Sequence, residues 1–311
     1  MSAPQLSVII PVYNEEANLP RLHPRLLEAL QALGRSFEIL YIDDGSTDGS
    51  FRALTALAEG NSGVKVIRFA RNFGQTAAMA AGFEHARGEV IVPLDADLQN
   101  DPEDIGKILE KLDEGYDVVC GWRYRRQDKL WTRKIPSRAA NRLIGWLTGV
   151  RLHDSGCSLK AYRAEVIKRT PLYAELHRFI PAMATLTGAR IAEVQVHHRP
   201  RQYGRTKYGL WRTWKVAFDM VTVSLLMRFA SKPLQLFGLL SWGAVMASTL
   251  CLGWWWARHL SATGATPQIL PGAGLLCLWL AGHLLVVGLI AELCLATAHT
   301  QPDQLVTREG A

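Results

Sequence analysis

Apolar and polar positions follow two rhythms along the N-terminal part of the chain, and the switches between them mark out the elements. Residues 6–12 form a continuous β-rich apolar run. Leu19, Leu22, Leu26, Leu27, Leu30 and Leu33 then recur at the three-to-four spacing of one helix face. The series continues with a strand at 37–42, a helix at 50–58, a strand at 64–69 and a helix at 76–85. A strand at 89–94, a helix at 102–114 and a strand at 117–121 close it, and 191–196 reads as a further strand. Alternation at this pitch predicts an α/β domain whose parallel sheet is covered by helices on both faces.

In such sheets ligands bind beyond the carboxyl ends of the strands. The polar clusters fall there, at 13–16, 43–48, 70–74, 95–99 and 121–126. Taken singly, each has a plainer reading: Asp43 and Asp44 as turn residues, Ser46 or Asp48 as a helix cap, Arg71 and Asn72 as solvated side chains. Their coincidence at one end of every strand points to a single nucleotide-sized site.

Further along, the pattern changes. Residues 208–231 mix Leu210, Trp211, Trp214, Val221 and Leu225 with Arg212, Lys215 and Arg228, as amphipathic helices in a headgroup zone do. Residues 234–256 then run without a charge, long enough to span a bilayer at ~1.5 Å per residue. Trp254, Trp255 and Trp256 form an aromatic interface anchor, 257–271 a polar loop, and 272–298 a returning span. His283 near mid-span is expected to make a polar contact between the helices, since an ionisable group facing lipid is costly.

Charge sharpens this division. The 311 residues are 49% hydrophobic and 20% charged, apolar for a soluble protein. Beyond Lys232 only Arg258 and Arg308 remain of 35 basic residues, and Glu292, Asp303 and Glu309 of 28 acids. The first 232 residues therefore carry 33 basic and 25 acidic side chains, a net of +8. The positive-inside rule then puts this domain and both termini on the cytoplasmic side of a cell (inner) membrane protein that crosses the bilayer twice. Five cysteines without a CxxC, behind an N-terminus with no signal peptide, fit a reducing compartment and argue against zinc.

The candidate chemistry centres on Asp95-Ala96-Asp97 at the end of an apolar strand. Two acids one residue apart repel each other unless a hard cation such as Mg2+ or Mn2+ lies between them and a ligand's phosphates, and Gln99 adds a neutral oxygen. The competing reading, that Asp97 or Asn100 caps the following helix, accounts for one acid at most. No GxxxxGK[ST] or GxGxxG is present, so phosphates must be neutralised by metal and basic side chains. Arg123, Arg125, Arg126, Arg133 and Lys134 are dense enough for that, or for attraction to anionic lipid. Asp154 is the candidate for orienting or deprotonating an acceptor, and Cys157 reads as a packed thiol.

Residues 11–16 (P-V-Y-N-E-E), 43–48 (D-D-G-S-T-D), 71–83 (R-N-F-G-Q-T-A-A-M-A-A-G-F) and 94–100 (L-D-A-D-L-Q-N) resemble family 2 glycosyltransferases of the Rossmann-like GT-A fold. Residues 117–123 (D-V-V-C-G-W-R), 137–141 (S-R-A-A-N), 154–163 (D-S-G-C-S-L-K-A-Y-R) and 197–208 (H-H-R-P-R-Q-Y-G-R-T-K-Y) narrow the likeness. They are similar to enzymes that load a sugar onto a polyprenyl phosphate, of the dolichyl-phosphate mannose synthase and undecaprenyl-phosphate glucosyl- or aminoarabinosyl-transferase type.

The resemblance implies an inverting transfer from a UDP- or GDP-sugar to undecaprenyl or dolichyl phosphate. It implies that Pro11, Tyr13 and Glu15, with Asp43 or Asp44, line the base and ribose pocket. Asp95, Asp97 and Gln99 would hold Mg2+ or Mn2+, with Ala96 in the donor site. Arg123, Arg133 and Ser137 would meet the acceptor phosphate, and Arg205 and Lys207 would close over the donor. Asp97, Asp154 and Arg123 are the catalytic candidates.

The expected organisation is a catalytic domain at 1–209, interface helices at 210–233, a transmembrane hairpin at 234–299 and a cytoplasmic tail at 300–311. Expected partners are the nucleotide sugar, the lipid phosphate and the membrane; a homo-oligomer stays open, and nucleic acid is not expected. A processive polysaccharide synthase would carry a Q-x-x-R-W run and a channel of spans, and the chain has neither. A non-catalytic nucleotide-sugar scaffold has no need of the intact acid pair, Asp154 and basic cluster.

Overall fold

The structure, a computed structural model, describes residues 3–123, 145, 152–170, 180–185, 188–199, 229, 232–261 and 269–297. Arg125, Arg126, Arg133, Lys134, Ser137, Arg205 and Lys207 lie outside the described residues, as does the amphipathic stretch 208–231 apart from Phe229. The chain forms two compact units that divide after Val223.

In the first unit the expected alternation forms as β1 (Leu6–Val12), α1 (Leu19–Ala32), β2 (Phe37–Asp43), α2 (Ser50–Glu59), β3 (Val64–Arg68), α3 (Gln75–His85), β4 (Val90–Pro93), α4 (Asp104–Asp113) and β5 (Val118–Arg123). A short strand β6 (Lys160–Arg163), helices α5 (Ala164–Arg169) and α6 (Ile180–Ala184), and strand β7 (Ile191–Val196) follow. One seven-stranded sheet results, in the order β3-β2-β1-β4-β6-β5-β7. The period of two sends alternate residues to opposite faces. Val8, Ile10, Ile39 and Tyr41 pack with Leu22 and Leu26 of α1 and Ile108 and Leu112 of α4. Ile9, Leu40 and Ile42 pack with Met79 and Phe83 of α3 and Val166 of α5. Burying each such side chain contributes roughly 1.5–3 kcal/mol, which is what fixes the register.

The register aligns the strand ends. Val12 lies beside Asp43, Asp43 beside Arg68, and Ile9 beside Pro93. The loops leaving β1, β2, β3 and β4 therefore gather at one edge. Strand β6 runs antiparallel to both β4 and β5, pairing Val90 with Arg163 and Cys120 with Lys160. Its reversal brings the loop that enters it, 154–159, to that same edge. At the opposite edge Glu38 is buried and accepts hydrogen bonds from the Ser7 hydroxyl (2.7 Å), the Arg87 N–H (2.7 Å) and Lys65 Nζ (2.7 Å). Burial alone would raise its carboxyl; the hydrogen bonds and the Lys65 charge outweigh that and hold it below the ordinary glutamate value.

The second unit holds α7 (Pro233–Leu260) and α8 (Ile269–Thr297), both long and apolar enough to cross a membrane. They pack antiparallel through small and polar residues. Ser241 Oγ donates to the Ala281 carbonyl (2.8 Å), Ser248 Oγ to the Gly274 carbonyl (2.7 Å), and the Leu234 N–H to Glu292 Oε2 (3.1 Å). His283 departs from expectation. It is exposed, and Nδ1 donates to the Trp279 carbonyl (3.1 Å) of its own helix, so the cost of a polar group in lipid is met within α8 rather than by α7.

Candidate active site

At the end of β4 the Leu94 N–H is donated to the Ile9 carbonyl (2.9 Å), and the chain then turns through Asp95–Gln99. Leu98 sits at φ 61°, a conformation that costs a residue of its size about 1–3 kcal/mol. Its side chain is buried in the core, which holds the strained turn in place. Asp97 is buried and its Oδ1 accepts the Gln99 N–H (3.1 Å). Asp95 and Gln99 are half-buried. Helix α4 starts only at Asp104, with no side-chain cap, and Asn100 Nδ2 donates instead to Ser158 Oγ (2.7 Å). The capping account of the acid pair therefore fails.

The turn is also tied down from outside. Asn100 forms an antiparallel bridge with His198, and the Arg199 N–H is donated to the Gln99 carbonyl (2.9 Å). Buried Asp101 pairs with Arg25 (3.1 Å) and Arg199 (2.5 Å), and buried Asp104 accepts the His197 N–H (2.6 Å).

Asp95, Asp97 and the amide of Gln99 make a donor set of oxygens only. Among the described residues no three of His, Cys, Asp or Glu form a closed cage, so a cation held at this turn would have to complete its shell from substrate and water. Mg2+ is usually held in that way, and the residues fit a hard divalent cation on this ground. They do not fit a structural zinc.

The loops after β1 and β2 interlock. The N–H groups of Asn14 and Glu15 donate to Ser46 Oγ (3.0 Å) and Ser50 Oγ (2.9 Å). In return Asn14 Oδ1 accepts the Thr47 N–H (2.8 Å) and Glu16 Oε2 the Gly49 N–H (2.9 Å). Asn14 is at φ 52°, a position Asn tolerates. Pro11, Tyr13 and Glu15 are half-buried at this edge, and Glu15 Oε2 accepts Asn18 Nδ2 (2.5 Å).

Asp43 and Asp44, expected beside the base and ribose, are both buried with carboxylates engaged by protein. Asp43 Oδ1 accepts the Ser46 N–H (3.1 Å), and its Oδ2 lies 3.4 Å from Arg68 Nε. Asp44 holds the next loop: it accepts Asn72 Nδ2 (2.9 Å) and the N–H groups of Phe73 (2.7 Å) and Gly74 (2.9 Å). Burial pushes the Asp44 carboxyl above the ordinary aspartate value; those two N–H bonds oppose the rise and the Asp43 charge adds to it. Gly45 (φ 66°) lies against the same loop, where a Cβ would stand 2.4 Å from the Arg71 carbonyl carbon.

Across β6 from the acid turn, Arg123 and Asp154 form a two-point ion pair, Nε to Oδ2 at 2.6 Å and Nη2 to Oδ1 at 2.9 Å. Both side chains are largely buried, at 12% and 8% exposure. Glu193 braces the pair by accepting the His153 N–H (2.8 Å), and the His153 ring stacks on Trp122 (4.4 Å). Cys120 and Cys157 are buried, which pushes both thiols up to about 12, so neither is a nucleophile.

Gln75, Ser50, Asp101 and Glu193 escaped the sequence reading. Their only signal was position, next to a strand end or a helix start.

Residues 7–171 match the family described as Glycosyl transferase family 2. The chain belongs to that family. This glycosyltransferase is 39% identical over 300 residues to a dodecaprenyl-phosphate galacturonate synthase of Rhizobium johnstonii, covering 94% of this chain and 88% of the relative. It is 43% identical over 246 residues to an undecaprenyl-phosphate 4-deoxy-4-formamido-L-arabinose transferase of Pseudomonas aeruginosa, covering 79% of this chain and 71% of the relative.

Among solved structures, glucosyl-3-phosphoglycerate synthase of Mycobacterium tuberculosis with Mn2+, UDP and phosphoglyceric acid superposes with a TM-score of 0.55 at 19% identity, over 72% of this chain and 78% of that one. A mannosyltransferase of Pyrobaculum calidifontis with GDP-Man and Mn2+ gives 0.50 at 16% identity, over 97% of this chain and 78% of that one. These likenesses show the fold: the glycosyltransferase has the mixed α/β GT-A architecture, followed by two apolar helices.

Proposed function

We propose that this glycosyltransferase moves a sugar from a UDP- or GDP-linked donor to a polyprenyl phosphate, undecaprenyl or dolichyl, at the cytoplasmic leaflet. The observation that carries the reading is the assembly, at one sheet edge, of the oxygen-only turn Asp95–Gln99 and the Arg123–Asp154 pair. The apolar hairpin and the lipid phosphates in the relatives' names support the acceptor class.

A phosphate monoester is largely ionised at pH 7, its second pKa lying near 6, so the acceptor does not require a general base. The barrier is the approach of two anions. A bound Mg2+ or Mn2+ supplies neutralisation at the donor diphosphate. Asp95, Asp97 and Gln99 would hold it, with Ala96 in the donor site, while Pro11, Tyr13 and Glu15, with Asp43 or Asp44, line the base and ribose. The carboxylates of Asp43 and Asp44 also shape the loops around them. Arg123, with Arg133 and Ser137, meets the acceptor phosphate, and Asp154 orients Arg123 rather than taking a proton. Arg205 and Lys207 close over the donor. A phosphate oxygen attacks the anomeric carbon from the face opposite the leaving diphosphate; one C–O bond forms, one breaks, and the configuration inverts.

The catalytic part is 1–209, the interface helices 210–233 and the hairpin 234–299. Both termini are cytoplasmic in a protein that crosses the inner membrane twice, as cleavage of 1–209 by protease added to inverted but not right-side-out vesicles would check.

The test is mass spectrometry of lipid product from purified full chain, undecaprenyl phosphate and a panel of UDP- and GDP-sugars with Mg2+ or Mn2+. One donor should give a lipid-phosphate sugar, lost with EDTA or with Asp97→Asn. Absence of product from every donor overturns the reading.

A further inference from the structure

Gln75 opens α3, half-buried, and its Nε2 donates to Asp95 Oδ1 at 2.8 Å. The amide therefore meets the first acid of the metal-binding turn from outside that turn. Its placement depends on the residues just before it. Asp44 accepts the N–H groups of Phe73 (2.7 Å) and Gly74 (2.9 Å) and Asn72 Nδ2 (2.9 Å), and Gly74 turns the chain into the helix at φ 97°. Gly45 closes against the backbone of Arg71 and Asn72 from the same side. An unbroken series of bonded contacts thus runs from the turn after β2, through 72–74, to the carboxylate at the end of β4.

We infer that Gln75 is a positioning residue for Asp95, set in place by Asp44, and that it tunes how tightly the cation and donor are held. The inference rests on the metal-dependent transfer proposed above. The chemistry suits the task. A carboxylate ligand needs its free rotation removed, and an outer hydrogen bond to one oxygen does that. A lysine or arginine there would bring a positive charge that competes with the cation. A neutral amide orients the acid without doing so.

Binding of Mn2+ is read by electron paramagnetic resonance of the free ion, titrated into full chain with UDP and, separately, with GDP. In Gln75→Met, which keeps length but loses the donor, affinity should fall ~10-fold or more, with the melting temperature unchanged. Gln75→Asn keeps the amide but falls one methylene short of Asp95, and should lose a similar amount. Saturating Mn2+ should return turnover to within about two-fold of wild type, because the defect lies in binding. Wild-type binding in both variants overturns the inference and leaves the transfer reading standing, as does a turnover loss that no Mn2+ concentration restores. A wild-type chain that takes no Mn2+ with either nucleotide overturns both.

Discussion

Replacing Asp154 by Asn changes little volume and tests whether the carboxylate holds Arg123 or acts as a base. In the native chain Oδ2 faces Arg123 Nε at 2.6 Å and Oδ1 faces Nη2 at 2.9 Å. The variant sets an amide donor against one guanidinium donor and removes the carboxylate charge facing an arginine of which only 12% of the side chain meets solvent. Breaking a pair of this burial costs about 3 kcal/mol. For a domain of this size that corresponds to a fall of about 6–12 °C in melting temperature. With Arg123 misdirected, kcat/KM for the lipid phosphate should drop ~100-fold, as when one fixed donor to a developing charge is lost.

The assay pairs thermal unfolding in detergent with initial rates over a range of lipid phosphate. The double variant Arg123→Met, Asp154→Leu removes both charges and should recover most of the lost stability, though not activity. If Asp154→Asn melts within about 2 °C of wild type and the acidic limb of the wild-type pH profile disappears, leaving a low and pH-independent rate, then Asp154 is a base and the positioning argument is wrong.

Other outcomes follow from single contacts. Glu38, held below its ordinary value, contributes stability that is complete above the unfolded glutamate pKa and is lost as pH falls through the lower folded one. Glu38→Gln should cost about 2 kcal/mol at pH 7 and progressively less below about pH 4 in acid denaturation, and a pH-independent difference would refute this. Gly45→Ala must move the Arg71 backbone away from a contact of 2.4 Å, so tryptic cleavage after Arg71 should accelerate; unchanged cleavage and melting would show that the loop yields freely. Glu292→Ala strips the Leu234 N–H of its acceptor, worth about 1 kcal/mol, and exchange of that amide should speed up about five-fold. Glu292→Gln, which keeps an oxygen, should exchange like wild type.

The parallel half of the sheet was legible because its strands are short apolar runs, buried on both faces, that alternate with helix-length segments. Strand β6 was not: it is four residues long, begins with a buried lysine, and exists only through pairing with β4 and β5. At the site, the chemistry and spacing of Asp95, Asp97 and Gln99 singled out the turn after β4. The strained φ of Leu98 that shapes their turn carries no sequence signature. Ser46, Ser50 and Asp44 show why composition is ambiguous here. Polar loop residues look alike whether they meet a ligand or their own backbone, and these three largely serve the backbone. His283 was misjudged because the Trp279 carbonyl, one turn back in its own helix, accepts its ring N–H.

The backward course of β6 has a consequence for how such proteins change over time. In the function proposed above, the loops up to residue 99 hold the cation and donor, Arg123 and Asp154 beside β6 meet the lipid phosphate, and Arg205 and Lys207 return to the donor. The residues proposed to meet the lipid phosphate thus form a block of the chain separate from the donor loops before it. Transplanting 118–199 from a relative with a different lipid should carry over that lipid while keeping the native sugar, because every residue proposed to meet the donor stays in place.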